Sequence, residues 1–329
     1  MLEDVLKKLQ TVGMLSDHET DLGYVPTGSY ALNRVCSGDF NKGVPVGTMI
    51  QFFGESSTGK TVFLSTTLAQ AQKLGYYTIF IDSEGTYDKK FARLLGVDDT
   101  KLMYQQTFTV EDTFKLMEDA VKEIRSLDKD TPIIIAYDSI AASPCKAELD
   151  SDDYNQHNMI GGIRAKATGG ALRRFNTLLR PQKVTLLVVN QLRSKVGVVY
   201  GNPDTKAAGG RSLQYYLGIE LQSLAANSER IKGDKGEVVG IRGRIKNTKN
   251  KTGLPFREAG FELLYDKGLT PHYGLLELMV DDGMVTQSGA WYTFGDLKFQ
   301  KKDFLENFST DKFKIVRDTL GIIDEQKAD

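Results

Sequence analysis

One stretch limits the possible folds of this chain more than any other: Gly54-Glu55-Ser56-Ser57-Thr58-Gly59-Lys60-Thr61. It follows the apolar run Met49-Ile50-Gln51-Phe52-Phe53 and precedes Val62 to Ala69, so the order reads strand, glycine-bounded loop, helix. Two glycines let the backbone curl until several N–H groups converge on one anion, and the first helical turn adds partial positive charge. In that arrangement the Lys60 ammonium reaches the β- and γ-phosphates of a nucleotide, and the Thr61 hydroxyl ligates Mg²⁺. The bland alternative is a turn that happens to match GxxxxGK[ST], and a match lying between a strand and a helix argues against it. The chain is therefore expected to bind a nucleoside triphosphate.

The rest of the chain supplies a sheet for that loop. Tyr76 to Asp82, Pro132 to Asp138 and Val184 to Asn190 are near-continuous β-branched and aromatic runs, the pattern of strands buried on both faces in a parallel sheet. Val110 to Leu127 and Arg164 to Leu179 lie between them with helical spacing, which predicts an α/β sheet with right-handed crossovers. Leu217 to Leu221 reads as a further strand, and Gly240 to Lys251 followed by Phe256 to Tyr265 as an antiparallel extension turning at Thr252-Gly253. Past Gly268 the pattern changes: Tyr273 to Met279 and Thr310 to Leu320 look helical, with Trp291 to Phe294 between them, and a small separate domain is expected. At the other end Leu2, Val5, Leu6 and Leu9 make one apolar stripe on a short helix, followed by a polar linker. That helix either folds back on its own core or docks on a neighbouring subunit.

Composition excludes several classes. With 329 residues, 40 % hydrophobic and 26 % charged, the chain reads as a globular protein with one large core and an appendage. No apolar run approaches the roughly 20 residues needed to span a bilayer, and the start is unlike a signal peptide, so no membrane contact and a cytoplasmic location are expected. Cys36 and Cys145 are too few for a disulfide framework and, with His18, His157 and His272, show no zinc spacing. A net charge of −1 hides a basic stretch: Arg164, Lys166, Arg173, Arg174, Arg180, Lys183, Arg193, Lys195, Lys206 and Arg211 stand against Asp204 alone. A second run, Arg242, Arg244, Lys246, Lys249 and Lys251, holds no acid. Either run could be a solvated face instead of a ligand site.

In an open parallel sheet, ligands sit beyond the carboxyl ends of the strands. Asp138 closes its strand and is the candidate acid for Mg²⁺, through water, with Ser139 beside it. Glu84 follows Asp82 and is the candidate base that orients the attacking water. Gln191, after Val184 to Asn190, offers an amide able to sense a γ-phosphate. It leads into Leu192 to Arg211, a glycine-rich basic stretch with one aromatic, and Asp150 to Gly162 is a second such loop. Two loops bearing cations and apolar wedges suit a nucleic-acid backbone with spread bases.

Ordered segments across the chain resemble the bacterial RecA recombinase family, in a divergent form of the kind a bacteriophage encodes. They are Thr27-Gly28-Ser29, the phosphate loop, Ile81-Asp82-Ser83-Glu84, Leu95 to Asp98, Asp138 to Ala142 with Lys146-Ala147-Glu148, Asn190 to Arg193 with Gly201-Asn202-Pro203, Gly209-Gly210, Lys249-Asn250-Lys251 with Pro255-Phe256, and Gly289-Ala290-Trp291-Tyr292. The resemblance implies an N-terminal docking helix and linker over residues 1–26, an ATPase core with two DNA loops over 27–268, and a small α+β domain over 269–329 that gathers duplex DNA. It implies catalysis by Glu84 and Lys60, with Gln191 as the switch from ATP to the DNA loop, and Lys249 and Lys251 reaching the ATP of an adjacent subunit. Gly54 to Thr61 and Val62 would hold ATP or dATP, with Asp88 and Phe91 flanking the adenine. Tyr215 would lie near the subunit interface.

For DNA the resemblance implies contacts from Arg164, Lys166, Arg173, Arg193, Lys195, Asn202, Gly209, Gly210 and Arg211, with Val199 and Tyr200 wedged between base triplets. The expected partners are single-stranded DNA, duplex DNA, further copies of the chain in a helical filament, and single-strand-binding or loader proteins, in the cytoplasm of a bacterium or a phage-infected host. The chain departs from the family pattern at the acidic Asp150, Asp152 and Asp153, at Phe91 where tyrosine is common, and in a C-terminal acidic tail that is almost absent. The expected activity is DNA-dependent ATP hydrolysis coupled to homologous pairing and strand exchange. A hexameric helicase on the same core and an ATP-gated coat for single strands are the alternatives.

Overall fold

A computed structural model of the chain describes residues 21–150, 157–194, 204–206, 210–224 and 230–322; for 157–161, 193–194, 204–206 and 210–211 it describes the backbone alone. The described chain opens with strand β1 (Tyr24–Val25), helix α1 (Tyr30–Ser37) and strand β2 (Val44–Pro45). Ser29 caps α1 by accepting from the Leu32 N–H, and Gly38 ends it in the left-handed region at φ 88°. The phosphate loop then joins β3 (Met49–Gly54) to α2 (Lys60–Lys73). There follow β4 (Tyr77–Asp82), α3 (Lys89–Leu94), β5 (Leu102–Gln106), α4 (Val110–Leu127), β6 (Ile133–Asp138), α5 (Lys146–Leu149), α6 (His157–Leu179) and β7 (Val184–Ser194). Next are β8 (Asp204–Lys206), α7 (Gly210–Tyr216), β9 (Ile219–Leu224), β10 (Arg230–Lys232), β11 (Val238–Asn250), β12 (Glu258–Leu264) and β13 (Gly268–Leu269). The C-terminal unit holds α8 (Leu275–Asp281), β14 (Thr286–Ser288), β15 (Trp291–Phe294), β16 (Leu297–Gln300), α9 (Lys301–Asn307) and α10 (Lys314–Leu320).

The large sheet runs β13-β12-β11-β9-β3-β7-β6-β4-β5, with β10 on β11 and β8 on β7. From β9 through β3, β7, β6 and β4 to β5 every pair is parallel, and from β9 outward to β13 every pair is antiparallel. The mixed α/β class and the antiparallel extension are as expected from the sequence. Strand alternation divides the core into two layers: Ile134 and Ala136 face Phe52, Phe63 and Leu68 on one side of the sheet, while Ile133, Ile135 and Tyr137 face Phe114, Met117 and Phe175 on the other.

A third core gathers Leu275, Phe299, Phe304, Phe308 and Phe313 beside a three-stranded sheet and takes in Phe40 from the large unit. The boundary expected at residues 268–269 falls inside β13. This unit seats on the large one through the Arg34–Asp282 ion pair at 2.9 Å and through Asn41, whose amide donates to the Leu320 carbonyl at 2.7 Å.

Two differences from the sequence reading bear on function. Helix α6 starts at His157, inside the stretch expected to be a loop. The second expected loop is entered by the extension of β7 to Ser194, crossed by β8 in antiparallel register, and left by α7 from Gly210. The Leu2 to Leu9 helix lies outside the described residues.

Candidate active site

The site lies where β3, β4, β6 and β7 end together. Register alone brings its residues into line: Gly54 is opposite Gln191, and Asp82 is opposite Asp138. In the phosphate loop Gly59 takes φ 84°, a left-handed turn that a side chain resists, and its N-cap position opens α2. Thr58 ties the loop to itself by donating to the Glu55 carbonyl at 2.9 Å, and Ser223 on β9 donates to the Thr58 carbonyl at 2.5 Å. Below the loop Phe63 is fully buried, stacked on Phe52 at 5.7 Å and edge-on to Phe261 at 5.1 Å. The floor under the N–H cradle is therefore rigid and apolar.

Lys60 is 7 % exposed and donates to the carbonyls of Gly54 and Glu55. Burial lowers its pKa, against the opposing pull of Asp138, Glu84 and Glu55. Thr61 Oγ1 donates to Asp138 Oδ2 at 2.5 Å. Burial pushes the Asp138 carboxyl up to about 6, helped by the negative charges of Glu84 and Asp82 and opposed by the Thr61 hydrogen bond and by Lys60. A hydroxyl and a desolvated carboxylate side by side are hard oxygen donors of the kind Mg²⁺ takes beside substrate phosphates, so these residues fit that ion.

Glu84 is held from two directions. Asp82 grips the backbone of its loop: one carboxylate oxygen accepts from the N–H groups of Glu84 and Gly85 at 3.0 and 2.7 Å, the other from Tyr87 N–H and the Tyr104 hydroxyl at 3.0 and 3.1 Å. The Glu84 side chain in turn accepts from Ser139 Oγ at 2.6 Å and from Gln191 Nε2 at 3.2 Å, both on Oε1. Gln191 and Glu84 are 107 residues apart in the chain.

These groups rim a cavity of about 400 Å³, lined by Ser56, Ser57, Gly59 to Val62, Glu84, Phe91, Asp138, Val189, Gln191, Ile241, Leu263 and Tyr265. Phosphate-loop donors occupy one end, and Phe91 with Tyr265 offers rings at the rim. Asp88 is not part of this lining; its carboxylate caps α3, accepting from the N–H groups of Lys90 and Phe91. Tyr265, Ile241 and Leu263 carry no motif; their place in this lining depends on the fold of β11 and β12. Ser139 stands beside Asp138 in the sequence, but its bond to Glu84 is not readable from spacing.

Lys249 and Lys251 stand apart from this lining, on the far side of β9. Both reach the end of α7: Lys249 donates to the Gln214 carbonyl and Lys251 to that of Tyr215, the latter at 2.6 Å. Tyr215 itself is 72 % exposed. Elsewhere the basic runs are partly neutralised: Arg174 pairs with Glu118, Lys183 with Asp130, Arg242 with Glu262 and Arg244 with Glu258. The run Arg242 to Lys251 is thus no continuous cationic face, because β12 supplies acids opposite it.

Of the expected DNA residues, Arg164 is drawn inward, donating to the Ala141 carbonyl at 2.7 Å just beyond Ser139. Lys166 and Arg173 are exposed, and Arg173 donates to the Tyr216 hydroxyl at 3.3 Å. Gly210, Arg193 and Arg211 are described in backbone alone; Lys195, Val199, Tyr200, Asn202 and Gly209 lie outside the described residues. Among the described residues no helix is long and apolar enough to cross a membrane.

Comparison with known proteins matches residues 3–270 to the RecA N-terminal domain. The chain belongs to the RecA family. Curated RecA proteins agree along most of its length. Protein RecA of Heliobacterium modesticaldum is 35 % identical over 288 residues, covering 86 % of this chain and 79 % of the relative. That of Leifsonia xyli subsp. xyli is 35 % identical over 325 residues, covering 95 % and 86 %. That of Streptomyces avermitilis is 35 % identical over 306 residues, covering 91 % and 77 %. Membership makes this a RecA-type recombinase, in the general class of DNA-dependent ATPases.

Proposed function

We propose that this RecA-family protein binds ATP between adjacent copies of itself, polymerises on single-stranded DNA, and catalyses homologous pairing and strand exchange. The direct contact between Glu84 and Gln191 carries the reading, because it puts the candidate base and the residue opening the β7–β8 segment on one hydrogen bond. The backbone N–H groups from Ser56 to Thr61 cradle the phosphates, and Lys60 exchanges its carbonyl partners for phosphate oxygens. Thr61 and, through water, Asp138 would hold Mg²⁺, which would neutralise phosphate charge. Glu84, oriented by Ser139 and by the Asp82 grip on its loop, positions and deprotonates water. Gln191 leaves Glu84 for the γ-phosphate, and that movement is passed to the DNA segment that it opens.

Self-association draws support from two surfaces. Lys249 and Lys251 lie outside the lining of their own cavity, as expected of residues that complete a neighbour's site. At the opposite edge an apolar groove lined by Tyr76, Leu102, Met103, Ile124 and Leu127 suits the apolar stripe Leu2, Val5, Leu6 and Leu9 of another copy. The C-terminal unit, with Lys298 over the Trp291 ring at 5.2 Å, is the proposed contact for duplex DNA.

ATP hydrolysis measured with and without single-stranded DNA, together with a joint-molecule assay, tests the reading. DNA-stimulated turnover and joint molecules are expected. Unwinding of a forked duplex without joint molecules would identify a helicase, and coating without turnover a scaffold.

A further inference from the structure

Polar side chains inside a sheet that is covered on both faces are costly unless they pair. Asn190 on β7, Gln51 on β3 and Glu220 on β9 are 0, 1 and 4 % exposed, and they pair with one another. The Gln191 N–H donates to Asn190 Oδ1 at 2.9 Å, and Asn190 Nδ2 donates to Gln51 Oε1 at 3.2 Å. Gln51 Nε2 donates to Glu220 Oε1 at 3.2 Å, and Thr248 Oγ1 on β11 donates to Glu220 Oε2 at 2.8 Å. The four strands are neighbours in the order β7-β3-β9-β11, so this row crosses the sheet from Gln191 to the residue before Lys249.

The far end of the row has a special backbone. Opposite β9, Asn247 pairs with Leu221 and Lys249 with Glu220, and Thr248 is the extra residue of a bulge. A bulge re-aims the side chains after it. Here it turns the Thr248 hydroxyl onto Glu220, and beyond it Lys249 and Lys251 both reach the end of α7.

We propose that Gln51 and Glu220 are positioning residues that lock the Lys249–Lys251 segment to Gln191, so that nucleotide engagement at one end is registered at the other. This rests on the nucleotide-sensing role of Gln191 given above. Each link is a direct hydrogen bond in a dry interior, where a half-satisfied row is worse than none. Gln51 and Glu220 are also opposite each other in backbone register, which sets their side chains on the same face of the sheet.

The test is hydrogen exchange of the full chain over residues 245–251, with and without a non-hydrolysable ATP analogue and Mg²⁺. In the wild type the analogue is expected to slow exchange there at least about threefold. Gln51→Glu sets two carboxylates face to face and should abolish that response. The double variant Gln51→Glu/Glu220→Gln exchanges donor and acceptor but can remake each of the bonds described above, and should restore the response to within about twofold. Thr248→Val cuts the last link alone and should blunt it even if Gln51→Glu does not fold. No nucleotide response in the wild type, a full response in folded Gln51→Glu or in Thr248→Val, or no recovery in the folded double variant would each overturn the proposal. A wild-type exchange response in a protein without DNA-stimulated hydrolysis would refute the proposed function and leave this inference standing.

Discussion

The Gln191 side-chain amide donates to Oε1 of Glu84 across 3.2 Å, on the same oxygen that accepts from Ser139. Two strand ends far apart in sequence thus share one acceptor. Gln191→Ala removes one donor and leaves the phosphate loop intact. DNA-stimulated kcat should fall at least about tenfold, about 1.4 kcal/mol of barrier, with the KM for ATP within about twofold. Steady-state ATPase assays with and without single-stranded DNA check this.

Lys60 and Thr61 separate in their dependence on metal. Lys60→Ala removes a charged donor to phosphate and should weaken ATP binding by roughly 1.5–3 kcal/mol whether or not Mg²⁺ is present. Thr61→Val should weaken it in Mg²⁺ and have little effect in EDTA. Titration calorimetry under both conditions distinguishes them.

The packing under the phosphate loop makes a stability prediction. Phe63 is fully buried between the Phe52 and Phe261 rings, so Phe63→Ala should destabilise the protein by about 3–5 kcal/mol. Urea unfolding followed by tryptophan-independent circular dichroism measures it, and a loss under about 1 kcal/mol would contradict this packing.

The C-terminal unit should be sensitive to acid. Its His272 Nε2–H donates to the Leu305 carbonyl across 2.8 Å, and the ring stacks on Phe308 at 4.8 Å. Burial holds the imidazole below its ordinary 6.5. Because the folded pKa lies under the unfolded one, the contribution of neutral His272 is complete above about 6.5 and is lost as the pH falls through the lowered folded value. Thermal melts should show Tm dropping in that window, and His272→Phe should flatten the drop.

Leu127 is 84 % exposed beside the apolar groove at the sheet edge. Leu127→Glu should leave the melting temperature within a few degrees, since a surface substitution typically costs under about 0.5 kcal/mol. It should lower the amount of protein sedimenting with single-stranded DNA and the ATP analogue. Unchanged sedimentation would remove this groove from the filament contact.

What could be read from the chain was whatever nature writes as a local pattern. The loop Gly54 to Thr61, the strand-ending Asp138, and the polar residues Glu84 and Gln191 follow long apolar runs, and those runs set where each would stand. Strand β5 has no such signature: Leu102–Gln106 is an edge strand with three exposed positions, so burial never shaped its composition. Helix α6 begins seven residues before the Arg164 start expected for it, at a His157-Asn158 start without a strong cap sequence. The placement of Tyr265 and Ile241 at the cavity beside the phosphate loop, and the pairing of β11 arginines with β12 glutamates, depend on antiparallel register, which single-strand periodicity does not encode.

Gly54 ends β3 with a strand on either side, and a Cβ placed there would sit 2.4 Å from the Ser223 carbonyl oxygen. Even one methyl group would act as a wedge, prising β9 from the centre of the sheet and carrying the anion cradle with it. The partly exposed rings of Phe91 and Tyr265, at the rim of the same cavity, have no such backbone against them. The end of the pocket at Gly54 thus has no room for a change of side chain, while the two rings at its rim do.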